Sequence, residues 1–304
     1  MNRLRPFGPL LTTALLVAAL PRGATAQNWD TVQVRTVAVA GGVHMLVARG
    51  GNIGVSAGPN GVFLVDDQYA PLTAKITAAV AAIAPGTIRF VLNTHWHGDH
   101  TGGNENLGKA GVLLVAHDNV RRRMSVDQFV AAFGDTVRAA PEAALPVVTF
   151  TDAVTFFLNG DTIHAFHVPH AHTDGDAIVR FRRANVIHMG DVFFHGRYPF
   201  IDLSSGGSVD GMIGTVKRAL ALANAETKII PGHGPLATRT DLQAYRDMLV
   251  GARDAVRRAM AGGRTLEQVV AAKPTAPWDA TWGTGFVNPQ RFVETLYRDL
   301  EKRR

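Results

Sequence analysis

The segment NTHWHGDHTGG, residues 93–103, places three histidines and one aspartate within six consecutive positions. Histidine is a scarce residue in proteins, so a cluster this tight indicates a shared task. Neutral imidazole and carboxylate are the usual nitrogen and oxygen ligands for zinc. The segment therefore predicts a metal site, and it requires a fold that brings further ligands to it. The four candidate ligands in the segment are His95, His97, Asp99 and His100.

The spacing within the segment predicts two separate directions for these side chains. His95 and His97 are two positions apart, and alternate side chains of an extended backbone face the same way. Both can therefore reach one ion. Asp99 and His100 follow Gly98, which is expected to let the chain turn sharply and aim them at a second point.

Three further candidates each follow a predicted strand. His172 comes after TIHAFHV, Asp191 directly after NVIHMG, and His233 after KII. Strand ends on one rim of a sheet converge, so residues distant in sequence can meet there. The set then divides into two metal sites that share one carboxylate. One ion takes His95, His97 and His172, the other takes Asp99, His100 and His233, and Asp191 bridges both.

The order of predicted elements indicates the fold class. Strands, helices, strands and helices follow one another in roughly two halves, with helices predicted at 71–84, 208–223 and 239–260. Two sheets packed face to face with helices outside fit this order. Residues 118–146 are less regular and predict a helical excursion in which Phe129 and Phe133 are turned inward. No low-complexity linker divides the chain.

The first 26 residues have the pattern of a secretory signal peptide. Two arginines precede the short apolar run LLTTALLVAAL, and a small-residue cleavage site ends at Ala26. The run is shorter than the ~20 apolar residues that a bilayer span needs. We therefore expect a leader at 1–26, one domain at 27–304, a periplasmic or secreted location, and no stable membrane association after cleavage.

Charge and cysteine content exclude several classes of site. The net charge is +6, and three arginines of the leader account for half of it, which leaves +3 for residues 27–304. That charge is too small and too scattered for a nucleic-acid partner, so a small-molecule substrate is expected. The sequence has no cysteine, which rules out disulfides and thiolate ligands or nucleophiles.

The H-x-H-x-D-H motif, followed in order by a histidine, an aspartate and a histidine, resembles the metallo-β-lactamase superfamily. The resemblance covers nearly all of the chain after the leader. It implies an α/β fold, a four-layer αβ/βα sandwich with two zinc ions between its sheets. It also implies hydrolysis by a hydroxide that the two ions share. Asp99 is then expected to be a ligand of the second ion and to accept a hydrogen bond from that hydroxide.

The substrate is less constrained than the metal site. Export favours a β-lactamase-type hydrolase of cyclic amides, but two features depart from the exported β-lactamases of the nearest subclass. Asp191 stands where those enzymes have a cysteine, and residues 48–51 form only a short turn where they have a long flap. An aspartate bridge is typical of hydroxyacylglutathione hydrolases and lactonases, so a lactonase, esterase or thioesterase is the alternative. An iron-dependent persulfide dioxygenase and a non-catalytic metal-binding protein are further hypotheses.

Residues outside the ligand set are also candidates for the site. His195 and Arg197 lie in the loop after Asp191 and are expected to contact substrate. Asp174 and Asp176 are candidates for orienting ligands from behind. Asp176, which precedes an apolar strand, is equally suited to a turn.

Overall fold

A computed structural model describes residues 27–302 of the chain. The expected leader lies outside the described residues. Within residues 27–302, no helix combines the length and the apolar character needed to cross a membrane.

The first half of the chain builds a seven-stranded sheet with the strand order β1-β2-β3-β4-β5-β6-β9. Its first four strands are antiparallel neighbours, whereas β4, β5, β6 and β9 run parallel to one another. The strands are β1 (Arg35–Ala40), β2 (Val43–Val47), β3 (Ile53–Gly58), β4 (Gly61–Val65), β5 (Ile88–Leu92), β6 (Leu113–His117) and β9 (Val148–Phe150).

The second half builds a six-stranded sheet with its strands in sequence order, from β10 to β15. All neighbours are antiparallel except β13 and β14, which are parallel. A separate two-stranded hairpin, β7 (Gln128–Val130) and β8 (Asp135–Val137), lies between the two halves in sequence. The strands of the second sheet are β10 (Ala153–Leu158), β11 (Asp161–His167), β12 (Ala177–Phe181), β13 (Val186–His188), β14 (Lys228–Ile230) and β15 (Ala237–Thr238).

The helices follow strong local signals. Thr238 and Thr265 each form a capping box at the start of a helix, and Ser208 and Asn288 cap two others. The helices are α1 (Thr73–Ile83), α2 (Gly98–Thr101), α3 (Asn104–Lys109), α4 (Asp118–Met124), α5 (Val209–Leu222), α6 (Arg239–Ala259), α7 (Leu266–Ala271), α8 (Ala276–Trp282) and α9 (Pro289–Glu301).

Alternation along the strands produces the four layers. In β4, Phe63 belongs to the core between the sheets, whereas Leu64 belongs to the core against α1. In β13, Val186 likewise faces the first sheet, and Ile187 joins the core formed with α5, α6 and α9. Each sheet thus buries one face against the other sheet and one against helices. The expected αβ/βα sandwich is confirmed.

The prediction for residues 118–146 was wrong in part. The segment begins with α4 but continues as the β7–β8 hairpin, and the side chains of Phe129 and Phe133 are 62% and 52% exposed. Val130 of β7 is buried in a core cluster with Val120 and Met124 of α4, but a two-stranded hairpin has no further strand to cover the side chains on its other face. Helix α8 was also missed, whereas the three helices predicted at 71–84, 208–223 and 239–260 are present as α1, α5 and α6.

Candidate metal centre

The histidine segment lies where β5 ends. Leu92 is the last residue of this strand, and the chain then runs through His95 and His97 into the one-turn helix α2. Gly98 begins that helix, has no left-handed φ, and a Cβ placed on it would meet no atom within 4 Å. The chain turns at this point as predicted, but the one-turn helix makes the turn without a conformation that only glycine favours.

The structure brings His95, His97 and His172 together. His97 Nδ1 lies 2.9 Å from His172 Nε2, and the three ligand nitrogens all lie within 4.8 Å of one another. Ligands of a tetrahedral zinc ion at 2.0–2.1 Å lie roughly 3.3 Å apart, so this spacing suits one ion. His95 and His172 are fully buried, and the loop between β11 and β12 supplies His172.

A second group forms beside the first. Asp99, His100 and His233 have ligand atoms within 4.8 Å of one another, and His233 Nε2 lies 3.2 Å from Asp99 Oδ2. Asp191 lies between the two groups. Its Oδ1 is 3.1 Å from His100 Nε2 and 3.4 Å from His233 Nε2, while its Oδ2 is 3.6 Å from His172 Nε2. One carboxylate thus has an oxygen facing each group.

Hydrogen-bond acceptors outside the ligand set determine which ring nitrogen of three histidines faces the centre. Asp66 Oδ2 accepts a hydrogen bond from His100 Nδ1 at 2.8 Å, and Asp202 Oδ2 accepts one from His97 Nε2 at 3.1 Å. The carbonyl of Phe200 accepts from His172 Nδ1 at 2.7 Å. In each case the remaining nitrogen points at the centre, which is the arrangement that holds metal-binding imidazoles in one tautomer and orientation.

Thr94 couples the remaining histidine to the same network. The Thr94 hydroxyl donates to Asp66 Oδ2 at 2.8 Å and lies 3.0 Å from His95 Nδ1, from which it accepts. The Thr94 backbone N–H also donates to Asp66, at 2.7 Å. Asp66 therefore orients one histidine of each group, since His100 binds it directly and His95 binds it through Thr94.

Unpaired buried atoms support a metal at this place. Among the described residues, His95 Nε2, His100 Nε2 and Asp191 Oδ1 are buried without a well-aligned hydrogen bond. A buried polar atom without a partner costs about 1–3 kcal/mol. A bound cation would satisfy all three atoms, since each offers a lone pair to the same centre. Two glycines make room for these groups. A Cβ at Gly51 would strike the His100 ring, and a Cβ at Gly232 would strike Asp191 Oδ1.

The pKa values of the histidines differ between the two ligand groups. Burial lowers the pKa of His95 well below its ordinary value and that of His172 to about 4, so both rings are neutral and offer lone pairs. Burial also acts to lower the pKa of His233, but Asp191 and Asp99 outweigh it and raise that pKa to about 9. Burial acts to raise the pKa of Asp99, and the adjacent histidines lower it to about 2. The carboxylates are thus ionised at neutral pH.

The side chains of the two expected substrate contacts have partners outside this cluster, although the His195 backbone N–H donates to the carbonyl of His233 at 2.9 Å. His195 stacks on Phe193, and its Nδ1 donates to the Pro235 carbonyl at 3.0 Å. Arg197 packs against the backbone at Gly285. The described contacts therefore do not connect either side chain to the seven candidate ligands, and their role in substrate binding stays a prediction.

Two acidic residues expected behind the ligands have different surroundings. Asp176 is buried and accepts hydrogen bonds from the backbone N–H groups of His172 and Thr173, so it does hold a ligand-bearing turn. Asp174 instead pairs with Arg123 through two bonds of 2.7 and 2.8 Å. Sequence reasoning missed Asp66 and Asp202 altogether, although Asp66 directly follows β4 and carries the same strand-end signal as the ligands.

The sequence pattern of the metallo-beta-lactamase superfamily matches residues 46–242, a range that contains all seven candidate ligands. The chain belongs to this superfamily. Members of the metallo-β-lactamase superfamily are hydrolytic metalloenzymes, and their fold binds metal ions, typically zinc.

Individual relatives of the superfamily differ in their reactions. The chain is 30% identical over 165 residues to a hydroxyacylglutathione hydrolase of Nitrosococcus oceani, covering 54% of this chain and 55% of that one. It is 26% identical over 147 residues to a metallo-beta-lactamase type 2 of Bacteroides fragilis, covering 48% and 52%. The chain thus spans about half the length of the curated relatives it matches.

A solved structure shares the fold. The metallo-beta-lactamase from Pontibacter korlensis superposes with a TM-score of 0.58 at 17% sequence identity, covering 72% of this chain and 99% of that one. At this identity the superposition establishes the metallo-β-lactamase fold alone.

Proposed function

We propose that this chain is a dinuclear zinc hydrolase that cleaves an acyl bond of a small molecule. The observation that carries the proposal is the position of Asp191, whose two oxygens face one histidine-rich group each. A carboxylate in that position would hold two cations close together. One ion would be held by His95, His97 and His172, and the other by Asp99, His100 and His233, with Asp191 shared.

Zinc ions bound in this way supply Lewis acidity and lower the pKa of water toward neutrality. The protein supplies groups that orient the attacking water and a carboxylate that stays ionised near neutral pH. Asp99 remains ionised because its pKa is about 2, and it is less enclosed than Asp191, so it can accept a hydrogen bond from the attacking water. Overall, water adds across the acyl bond and gives a carboxylate together with an amine, alcohol or thiol.

We place ester or thioester cleavage first among the possible acyl bonds. The carboxylate of Asp191 and the likeness to hydroxyacylglutathione hydrolases both favour this class. Cyclic-amide cleavage, which the exported character of the sequence predicts, is the second candidate. It is supported by the likeness to a type 2 metallo-beta-lactamase, and the short turn between β2 and β3 argues against a flap of the kind those enzymes have.

The experiment is metal analysis combined with a matched substrate panel. Protein loaded with zinc is assayed on an S-acylglutathione thioester, an aryl ester, a lactone and a chromogenic β-lactam. We expect two zinc ions per chain and turnover of at least one substrate, and we expect Asp99→Ala to suppress that turnover by orders of magnitude. Asp152→Ala, which removes an exposed carboxylate in the turn between β9 and β10, is the control that keeps full turnover.

Two results would overturn the proposal. Zinc-loaded protein that cleaves none of the four classes is not an acyl hydrolase. Protein that purifies with one iron and oxidises a persulfide belongs to the dioxygenase alternative instead.

We also propose that the hydrolase acts outside the cytoplasm on a free small molecule. The support is the leader pattern of residues 1–26, which predicts cleavage after Ala26 and a mature start at Gln27. Mass spectrometry of the exported protein tests this directly. An intact Met1 on soluble cytosolic protein would contradict it.

A further inference from the structure

Three phenylalanines from distant parts of the chain form an aromatic cluster at the surface. The ring of Phe133, at the tip of the β7–β8 hairpin, stacks on that of Phe200 with centroids 5.3 Å apart. Phe286, in the segment before α9, lies 6.0 Å from Phe133 and 6.3 Å from Phe200. These spacings are those of favourable aromatic pairs, so the three rings act as one apolar surface.

Two members of the aromatic cluster are open to solvent. The side chains of Phe133 and Phe286 are 52% and 61% exposed, whereas Phe200 is half-buried beneath them. Adjacent exposed aromatic side chains are unfavourable in water and mark surfaces that bind something apolar. Arg291 of α9 fixes their arrangement. It donates to the Ala132 carbonyl at the hairpin tip, and its guanidinium lies 4.9 Å from the Phe286 ring centroid.

The aromatic cluster is continuous with the metal centre through Phe200. The Phe200 ring lies 5.9 Å from the ring of His97 and 5.8 Å from that of His172. The Phe200 carbonyl also accepts the hydrogen bond that orients His172. A group attached to a substrate at the three-histidine side of the centre therefore needs to extend only a few bonds to reach these rings.

We propose that Phe133, Phe200 and Phe286 form the subsite that binds an apolar group of the substrate, with an aromatic acyl group as the best fit. The inference rests on the proposed hydrolase function and names its substrate class. The turn between β2 and β3 is short, so this chain has little apolar cover on that side. The β7–β8 hairpin and the segment before α9 instead supply apolar cover next to Phe200, which contacts the rings of His97 and His172.

A cavity adjoins the aromatic cluster at Phe200, whereas Phe133 and Phe286 are not part of its wall. The cavity, of about 530 Å³, lies between the hairpin, the loop of residues 200–204 and α9, and Phe200 and Asp202 are part of its wall. Its size falls within the ~300–1,000 Å³ of small-molecule sites. Asp202, which also lines the cavity, accepts a hydrogen bond from His97 Nε2, so this residue contacts both the cavity and a candidate ligand.

The test compares ligands that differ only by an aromatic ring. Zinc-loaded protein is titrated calorimetrically with acetate and with phenylacetate, and it is assayed on the p-nitrophenyl esters of the same two acids. We expect phenylacetate to bind about tenfold more tightly than acetate, because burying a phenyl group contributes at least that much. The phenylacetyl ester should show the lower KM with a similar kcat.

The variants Phe133→Ala and Phe286→Ala isolate the subsite, since both side chains are exposed and neither binds a candidate ligand of the metal. Each should reduce the preference for phenylacetate roughly fivefold by loss of an aromatic partner. Zinc content should stay unchanged, which separates loss of the subsite from loss of the metal centre. Phe133→Leu keeps apolar surface and should restore part of the preference.

Phe129→Ala is the matched control. Phe129 is a comparably exposed phenylalanine of the same hairpin, and within residues 27–302 it takes no part in the aromatic contacts of the cluster. Its substitution should leave the preference for phenylacetate as in the wild type.

The outcomes separate the subsite from the proposed function. If the wild type hydrolyses no acyl substrate but binds phenylacetate through Phe133 and Phe286, the hydrolase proposal fails and the subsite stands. If acyl substrates are hydrolysed with no preference for the aromatic acid, or if Phe129→Ala lowers the preference equally, the subsite is wrong. A dimer that dissociates in Phe286→Ala without a change in ligand preference would assign the cluster to a protein interface instead.

Discussion

Asp66 and His100 form a fully buried pair in which Asp66 Oδ2 accepts a hydrogen bond from His100 Nδ1 at 2.8 Å. The same carboxylate accepts two hydrogen bonds from Thr94, whose hydroxyl in turn accepts from His95. Asp66 follows β4 and the histidine segment follows β5, so two parallel neighbouring strands end at this network. The first sheet therefore supplies the part of the outer support that orients His95 and His100, as well as three of the histidines of the metal centre.

The first prediction concerns this outer support. Asp66→Asn keeps the shape of the side chain but removes the charge and one acceptor, so His100 loses its fixed tautomer. Loss of such a partner typically costs tenfold to a hundredfold in metal affinity. We expect a loss of this size for the second zinc ion, measured by competition with a chromogenic chelator.

Asp67→Asn is the control for Asp66→Asn. Asp67 is the buried neighbour, but its Oδ1 accepts from the Gly103 backbone N–H, so it supports the segment after α2. Its substitution should leave the affinity for both ions as in the wild type. Equal losses in the two variants would mean that Asp66 acts on folding and not on His100.

These residues show which parts of the site could be predicted from the sequence and which could not. The rule that strand ends converge led to His172, Asp191 and His233, and the structure brings all three to the histidine segment. The same rule applies to Asp66, which directly follows β4. A carboxylate that only orients another side chain leaves no spacing pattern of its own, so nothing local separates it from an ordinary turn residue.

Asp202 was beyond the reach of any local pattern. It lies in an irregular loop, where its side chain accepts from the backbone N–H groups of Ser204 and Ser205 and from the ring of His97. Its partner is 105 residues away, and only the packing of the second sheet on the first brings them together. Phe133 was predicted to face inward and is exposed. An apolar side chain favours burial, but the sequence does not show whether the fold provides a core to bury it.

The second prediction concerns the close approach of backbone to the His100 ring. A Cβ at Gly51 would strike that ring, whereas a Cβ at Gly98 would meet no atom within 4 Å. Gly51→Ala should therefore displace His100, weaken the second zinc ion and destabilise the fold by about 1–3 kcal/mol. Gly98→Ala, on the helix that carries Asp99, should bind two zinc ions and unfold at the wild-type denaturant concentration. Normal metal content in Gly51→Ala would contradict the prediction and show that the backbone at residue 51 can shift enough to accommodate a methyl group.

The third prediction concerns the shared carboxylate. Asp191→Ala removes the group that faces both sets of ligands and should leave the three-histidine side largely intact while loosening the second ion. The loss should exceed the tenfold to hundredfold expected for an outer partner, because a direct ligand is removed. Asp191→Cys supplies a softer anion and should retain zinc better than Asp191→Ala. Two tightly bound zinc ions and normal turnover in Asp191→Ala would show that Asp191 is not a ligand.

The fourth prediction concerns pH and a pair of histidines away from the metal centre. His117 and His167 stack with ring centroids 3.7 Å apart, and His117 Nδ1 accepts a hydrogen bond from the Asn119 backbone N–H at the start of α4. Burial lowers the pKa of His117, and the neighbouring His167 lowers it further. Protonation would place a charge in the stack, where burial disfavours it, and would remove the acceptor that caps the helix.

The direction in which stability changes with pH follows from the number of protons bound by the folded and unfolded states. A histidine whose pKa is lower in the folded than in the unfolded state binds fewer protons when folded, so stability falls as pH falls through its ordinary value near 6.5. His117→Asn keeps a good helix cap that does not titrate. With metal content matched, wild type should lose about 1 kcal/mol more of its free energy of unfolding than His117→Asn between pH 7.5 and 5, the size of one cap. Denaturant titrations at both pH values measure this, and parallel losses in the two proteins would show that His117 does not couple stability to pH.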